Sequence, residues 1–300
     1  MRRRRVDEAG AAVRRLEAIG ELLQTEPTKI SVEFLFKAVN SFVQVKRKQD
    51  EVLVRMQSAI KEVYDNFSPA QRVSFFAMLY DQFSENYDRH MGVETRHYQA
   101  IRDVMDFAAP FLRPPIIDLT AGTGEPLRYA LEIMKRSDRM RKAGIETRLV
   151  SPPSERRVLI ANEISLKMLA KAKEKLGGDA RYINESAYDF PGHYGRGNTV
   201  LVSQTFHLIK DEDKPRLVRG VFNSLSPGGI AVVMEEDRFM ITPLLPDAIR
   251  LFIGAIAEPL KHHGDLVGAF IANGFAKLEN RAVSPIDSEH SMRLHLFQRQ

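Results

Sequence analysis

The stretch Ile116-Ile117-Asp118-Leu119-Thr120-Ala121-Gly122-Thr123-Gly124 decides the fold. Two β-branched residues suit a short strand buried on both faces. An acid then closes the run, and two glycines spaced two apart form a turn ahead of a helical stretch. Glycine lets the backbone bend sharply and approach a ligand that any Cβ would block. An α/β protein holds a nucleoside cofactor at a turn of this kind. The dinucleotide fingerprint asks for a third glycine three positions after the second, where Leu127 stands. The Lys-Ser/Thr ending of a nucleoside-triphosphate loop is replaced by Glu125-Pro126. A negative residue at the mouth of the turn repels phosphate and tolerates a ligand with positive charge.

Further segments follow in order. The apolar run 157–162 ends in Glu163 and leads into Ile164-Ser165-Leu166-Lys167-Met168-Leu169-Ala170-Lys171-Ala172. Residues 180–184 form a third strand pattern, followed by Glu185-Ser186. A fourth, 198–203, ends in Ser203 and runs into Gln204-Thr205-Phe206-His207-Leu208. Leu225-Ser226-Pro227-Gly228-Gly229 then reverses the chain into a fifth strand, because Pro presets φ and Gly supplies positive φ at such a corner. Residues 275–283 and 292–297 form a last pair of strand patterns after the helix stop at Asn273-Gly274.

With these segments the chain resembles the class I S-adenosylmethionine-dependent methyltransferases over residues 80–300. Thr120 departs mildly, sitting where that family often has a glycine. The resemblance implies a seven-stranded Rossmann-like α/β sheet with helices on both faces, S-adenosylmethionine as cofactor, and methyl transfer as the activity. It makes Asp118, Thr120, Gly122 and Gly124 the cofactor cradle and Glu163 the ribose-binding carboxylate, with Glu185 or Ser186 beside adenine and Ser203 at the end of the fourth strand. A carboxylate fixed at a strand end accepts two hydrogen bonds from a ribose diol, although an acid there also complements a helix dipole. Tyr80-Asp81-Gln82-Phe83-Ser84-Glu85-Asn86-Tyr87-Asp88 is similar to the Tyr-Asp element ahead of the cofactor turn in small-molecule members. Tyr87 is then expected to close over the sulfonium through cation–π attraction, worth about 0.5–2 kcal/mol. Residues 135–156, with Pro152-Pro153, read as an insertion at the sheet edge.

Residues 1–79 read as a helical region. Val13, Leu16, Ile19, Leu22 and Leu23 share one helical face, Pro27 marks a break, and apolar residues recur at helical intervals over 30–64 around a charged stretch at 46–51. Such a region packs simply against the core, caps the substrate side of a sheet or makes a homodimer contact, and its spacing does not choose among them.

Composition narrows the function. The 300 residues are 44% hydrophobic, enough for a full α/β core. No apolar run reaches the length of a membrane span, and Met1-Arg2-Arg3-Arg4-Arg5 is not followed by an apolar signal core. Cytoplasm is the expected compartment, without membrane association. There are no cysteines, which excludes disulfides, thiolate zinc sites and a cysteine nucleophile. The net charge of +5 and the basic runs at 2–5 and 46–48 raise nucleic acid as a partner. Acids lie beside both runs, however, and no basic stripe is interleaved with aromatics for base stacking. Ser203-Gln204-Thr205-Phe206 also lacks the prolines of the Asn/Asp-Pro-Pro-aromatic run of base-amine methyltransferases.

The expected reaction is transfer to a small-molecule acceptor. His207 is the candidate base, because it follows the fourth strand at the ligand-binding end of the sheet and imidazole titrates near neutrality. The helical region, 237–263 and the pair His262-His263 are expected to shape the acceptor site, and no metal set is legible. The alternatives are an RNA or protein methyltransferase, or a cofactor-binding scaffold without turnover.

Overall fold

The computed structural model describes residues 31–43, 50–94, 96–144, 159–188, 190, 194–236, 247–257, 263–285 and 291–300, with the isolated residues 10, 11, 14 and 18. The first expected helix at 13–23 apart from residues 14 and 18, the basic runs, residues 145–156 of the expected insertion, most of 237–263 and His262 lie outside them; residues 135–142 of that insertion are helical. Backbone contacts divide the chain into two compact units, one of Met1–Leu79 with Ile241–Ala257 and one of Tyr80–Met240 with Glu258–Gln300.

The first unit is helical. Helices α1 (Val32–Val43) and α2 (Asp50–Asp65) take the two halves of the apolar pattern over 30–64. Helix α3 (Pro69–Arg89) begins in this unit and ends in the second. A later helix, α8 (Asp247–Ile256), completes the unit. Its core is aromatic: Phe75 packs on Phe36, Tyr64 and Phe252 with ring centroids 5.4, 5.3 and 5.3 Å apart. Buried aromatic pairs of this kind are worth about 0.5–1.5 kcal/mol beyond their area.

The second unit holds a seven-stranded sheet in the order β3-β2-β1-β4-β5-β7-β6. Strands β1 (Ile116–Asp118), β2 (Leu159–Asn162), β3 (Ala180–Ile183), β4 (Gly197–Ser203) and β5 (Leu225–Glu236) are parallel. The antiparallel β7 (Ser291–Arg299) lies between β5 and β6 (Phe275–Pro285). The order reverses between β1 and β4, the switch point where open α/β sheets bind ligands at their carboxyl ends.

Both faces of the sheet are covered. One cluster joins Ile116, Leu159, Leu201 and Val232 to Ile101, Val104, Leu127 and Met134 of helices α4 (His97–Ala108) and α5 (Glu125–Lys142). The other joins Ile117, Ile160, Val200 and Val233 to Leu217 and Val221 of α7 (Lys214–Ser224) and Phe270 of α9 (His263–Ala272). Ile116 and Ile117 thus serve opposite faces, as the pleat requires. Helix α6 (Leu166–Leu176) starts at Ser165, whose Oγ accepts from the Met168 N–H at 3.1 Å as an N-cap. Among the described residues no helix is long and apolar enough to cross a membrane.

Candidate functional site

The glycine turn after β1 is built for close approach. Gly122 and Gly124 have φ of 54° and 83°, the left-handed region that Cβ-bearing residues avoid. A Cβ on Gly124 would stand 3.1 Å from both Ala172 and Leu176, so this glycine lets the turn seat on α6. A Cβ on Gly122 would meet only Tyr87, at 3.8 Å, so that glycine opens on a cleft. Thr120 Oγ1 accepts from the Ser203 N–H at 3.2 Å and ties the turn to the end of β4.

Two buried acids flank the turn. Asp118 is fully buried; its Oδ1 accepts from the Thr120 N–H at 3.1 Å, and Oδ2 has no hydrogen-bond partner among the described residues. Burial, offset by that hydrogen bond and reinforced by the Glu163 charge, pushes its pKa up to about 8. Glu163 is 6% exposed and accepts from the Gly122 N–H at 2.8 Å and the Ser165 N–H at 2.9 Å. Burial raises its pKa against the pull of these backbone donors. A carboxylate offers about four lone-pair positions, so further acceptor capacity remains.

Residues 80–94 form the wall opposite the turn. Tyr87 packs edge-on against Phe83 and Tyr80, with ring centroids 5.3 and 6.2 Å away. Burial raises the Tyr87 hydroxyl pKa above its ordinary range, and the charges of Glu163, Asp88, Glu236 and Asp118 raise it further. The ring therefore stands among carboxylates. Two hydrogen-bonded acids, Asp81 and Asp88, help to fasten this wall. Asp81 Oδ1 accepts from Ser165 Oγ at 2.5 Å and the Lys167 N–H at 3.1 Å. Asp88 Oδ1 accepts from Thr123 Oγ1 at 2.5 Å, Lys175 Nζ at 2.7 Å and the Tyr98 hydroxyl. Burial would raise the Asp88 pKa, but these hydrogen bonds outweigh it and hold the pKa below its usual value.

Tyr87, Tyr98, Thr120, Gly122, Ser203 and Gln204 are among the residues that line the cleft, whose volume is about 20 Å³. That is room for roughly one water molecule.

Beyond the cleft, the ends of β4 and β5 carry buried polar pairs. Glu235 Oε1 accepts from the N–H groups of Thr205 and Phe206 at 2.7 and 2.8 Å, and its Oε2 lies 2.9 Å from His207 Nδ1. Glu236 Oε1 accepts from Gln204 Nε2 at 3.0 Å and lies 2.7 Å from His97 Nε2. Among the described residues the non-glycines with positive φ are Arg96, directly before His97, and Gln204, at 57° and 49°. Such conformations cost of order 1–3 kcal/mol each and gather at functional sites.

Of the residues expected from the sequence, Tyr87, Thr120, Gly122 and Ser203 meet at the cleft, and Asp118 and Glu163 act on Tyr87. Gly124 supports the turn from behind. Glu185 and Ser186 stand apart from the cleft lining: Glu185 Oε1 accepts from the Tyr194 hydroxyl at 3.1 Å, and Ser186 Oγ from the Tyr188 N–H at 3.1 Å. His207 is also outside that lining and 4% exposed. Sequence reasoning missed His97, Tyr98, Thr123, Gln204 and Glu236. One usable signal was present, the acid pair Glu235-Glu236 closing an apolar strand.

The family described as "Methyltransferase domain" matches residues 143–229. No curated protein matches the chain in sequence. Among solved structures, the DhpI–SAH complex superimposes with a TM-score of 0.54 at 14% identity, covering 77% of this chain and 98% of that one. The magnesium protoporphyrin IX methyltransferase (ChlM) of Synechocystis PCC 6803 with bound SAM gives 0.50 at 12% identity, covering 76% and 97%. At these identities the likeness is one of fold.

Proposed function

We propose that this chain, which belongs to the class I S-adenosylmethionine-dependent methyltransferases, uses S-adenosylmethionine to methylate a small-molecule acceptor. The observation that supports a small acceptor is the burial of the polar groups beyond the cleft. His97, His207, Glu235 and Glu236 are each at most 5% exposed; the two acids end β5, His207 follows β4 and His97 opens α4. A polymer meets its enzyme on an open, usually basic surface, whereas an enclosed pocket with a few convergent polar groups suits a small ligand.

The chain's own groups fit the cofactor. S-adenosylmethionine carries a sulfonium and an ammonium; negative charges surround Tyr87 in the cleft lining, and Asp118, buried at the start of the turn, has an Oδ2 with no hydrogen-bond partner among the described residues. In this reading Glu163 holds the ribose diol, Gly122 lets the backbone approach, and Gly124 keeps the turn seated on α6. Thr120 and Ser203 hold the cleft floor, and Tyr87 lies beside the sulfonium. Either Glu185 or Ser186 turns from its present partner toward adenine. When bound, the cofactor supplies an electrophilic methyl carbon, and the protein's task is orientation and proton management. His207 stays engaged with Glu235, and its part is to hold the turn after β4 in place.

The test is transfer of radiolabelled methyl from S-adenosylmethionine into a cell extract separated into small-molecule, RNA and protein fractions. Label in the small-molecule fraction is the expected result. Label in RNA or protein would replace this reading with the polymer alternative, and label nowhere would favour a binding scaffold.

A further inference from the structure

We infer that Glu236 is the group that contacts the methyl acceptor, with His97 and Gln204 as its positioning residues, and that the acceptor presents a hydroxyl or amine donor there rather than a carboxylate. This rests on the methyltransferase reading above and adds the chemistry of its acceptor. Glu236 ends β5, is 5% exposed, and has one oxygen fixed: Oε1 accepts from Gln204 Nε2 and lies 2.7 Å from His97 Nε2. Its Oε2 is buried with no hydrogen-bond partner among the described residues. A buried carboxylate oxygen is costly to leave unpaired, so a donor is expected to meet it in the working complex.

The location is suitable. Gln204 lines the cleft and Tyr87, also in that lining, feels the Glu236 charge. Glu236 therefore stands one hydrogen bond behind Gln204 of the cleft lining. The left-handed backbone of Gln204 and Arg96 falls on the residue that donates to Glu236 and on the one preceding His97. Tyr87, in the cleft lining, also feels the charges of Glu163, Asp88 and Glu236, a negative field that disfavours an anionic acceptor and favours a neutral or cationic one.

The proton balance is simple. The acceptor's O–H or N–H bond breaks and its proton passes to Glu236 Oε2. The acceptor oxygen or nitrogen keeps that electron pair, and bound S-adenosylmethionine would supply the methyl carbon that it bonds, with the carbon–sulfur pair leaving on sulfur. His97 and Gln204 hold Oε1 throughout, so that Oε2 keeps a single direction.

Three probe compounds test the assignment: phenol, benzylamine and benzoate, each titrated by NMR into the full chain saturated with S-adenosylhomocysteine. Wild type should bind phenol or benzylamine and reject benzoate. In Glu236→Gln the amide oxygen takes the place of Oε1 under the same donors and the NH2 takes the place of Oε2. The preference should then invert, with donor binding weakened at least tenfold and benzoate admitted. His97→Gln, which keeps a donor, should retain the wild-type preference, and His97→Phe should lose it. Unchanged S-adenosylhomocysteine affinity shows that each variant is folded. If wild type fails to bind S-adenosylhomocysteine, the methyltransferase reading itself fails. If it binds, then equal binding of benzoate, binding of none of the three, or an unaltered preference in Glu236→Gln overturns the Glu236 assignment.

Discussion

The two ends of the cleft are built by different means. At the proposed cofactor end, four residues of one short turn, Asp118, Thr120, Gly122 and Gly124, and one acid at the next strand end, Glu163, would do the positioning, and their spacing is visible in the chain. At the acceptor end, His97, Gln204 and Glu236 come from a helix before β1, the loop after β4 and the end of β5. Backbone geometry explains the contrast. A turn that must admit a ligand needs glycine at fixed offsets, while a buried carboxylate needs only donors from any direction in space. The cofactor end is local and the acceptor end is tertiary.

That contrast is open to direct attack, and the largest effect is expected at Glu163. Replacing it by Ala removes the ribose acceptor and strips the N–H groups of Gly122 and Ser165 of their partner. Loss of one side of a buried charged hydrogen bond costs about 2–5 kcal/mol, so cofactor affinity should fall at least about 30-fold by calorimetry. Glu163→Gln, which keeps one oxygen, should lose less. An affinity equal to wild type in both would remove Glu163 from the cofactor end.

Gly124→Ala comes next. The new Cβ meets Ala172 and Leu176 at 3.1 Å with φ at 83°. Crowding and left-handed strain together should cost roughly 2–4 kcal/mol of stability, read from denaturant unfolding. Gly122→Ala meets only Tyr87, at 3.8 Å, and should lose mainly cofactor affinity. Equal destabilisation by both would show that the two glycines do not divide the work.

The pH dependence of Asp118 follows in size. Its pKa is raised to about 8 in the folded chain, against about 3.9 when unfolded. The stability contribution of the protonated acid is therefore complete below about pH 4 and is lost as pH rises through about 8. Asp118→Asn should thus gain on wild type as pH climbs through that window, in unfolding experiments without ligand. A bound cation favours the ionised acid. Binding of S-adenosylmethionine at pH 7 should release up to about one proton, seen as a buffer-dependent calorimetric enthalpy. The neutral thioether S-adenosylhomocysteine should release fewer.

The smallest effect belongs to the fastening of the Tyr87 wall. Lys175 and Asp88 are 21% and 38% exposed, so Lys175→Met should cost at most about 1 kcal/mol of stability. Because the cleft has room for about one water, loosening this wall should also speed cofactor association, measured by stopped flow.

Most of the sheet is legible in the sequence for a physical reason. Strands such as 198–203 carry an unbroken apolar centre, here Val200-Leu201-Val202, because parallel strands are buried on both faces, and the Pro227-Gly228-Gly229 corner has its own backbone logic. The split of the pattern over 30–64 into α1 and α2 was legible from its charged middle. The partnership of Glu236 with His97, 139 residues away, was not, because nothing in either segment encodes the other. The placement of 241–257 with the helical unit was equally invisible, since it rests on packing of Phe252 with Phe36 and Phe75.

The most direct measurement is calorimetric titration of the purified chain with S-adenosylmethionine and S-adenosylhomocysteine, with NAD as control. Micromolar binding of the first two and none of NAD is expected, with Glu163→Ala weakening the binding at least about 30-fold. Absence of binding by both nucleosides, or binding that Glu163→Ala leaves intact, would contradict that expectation.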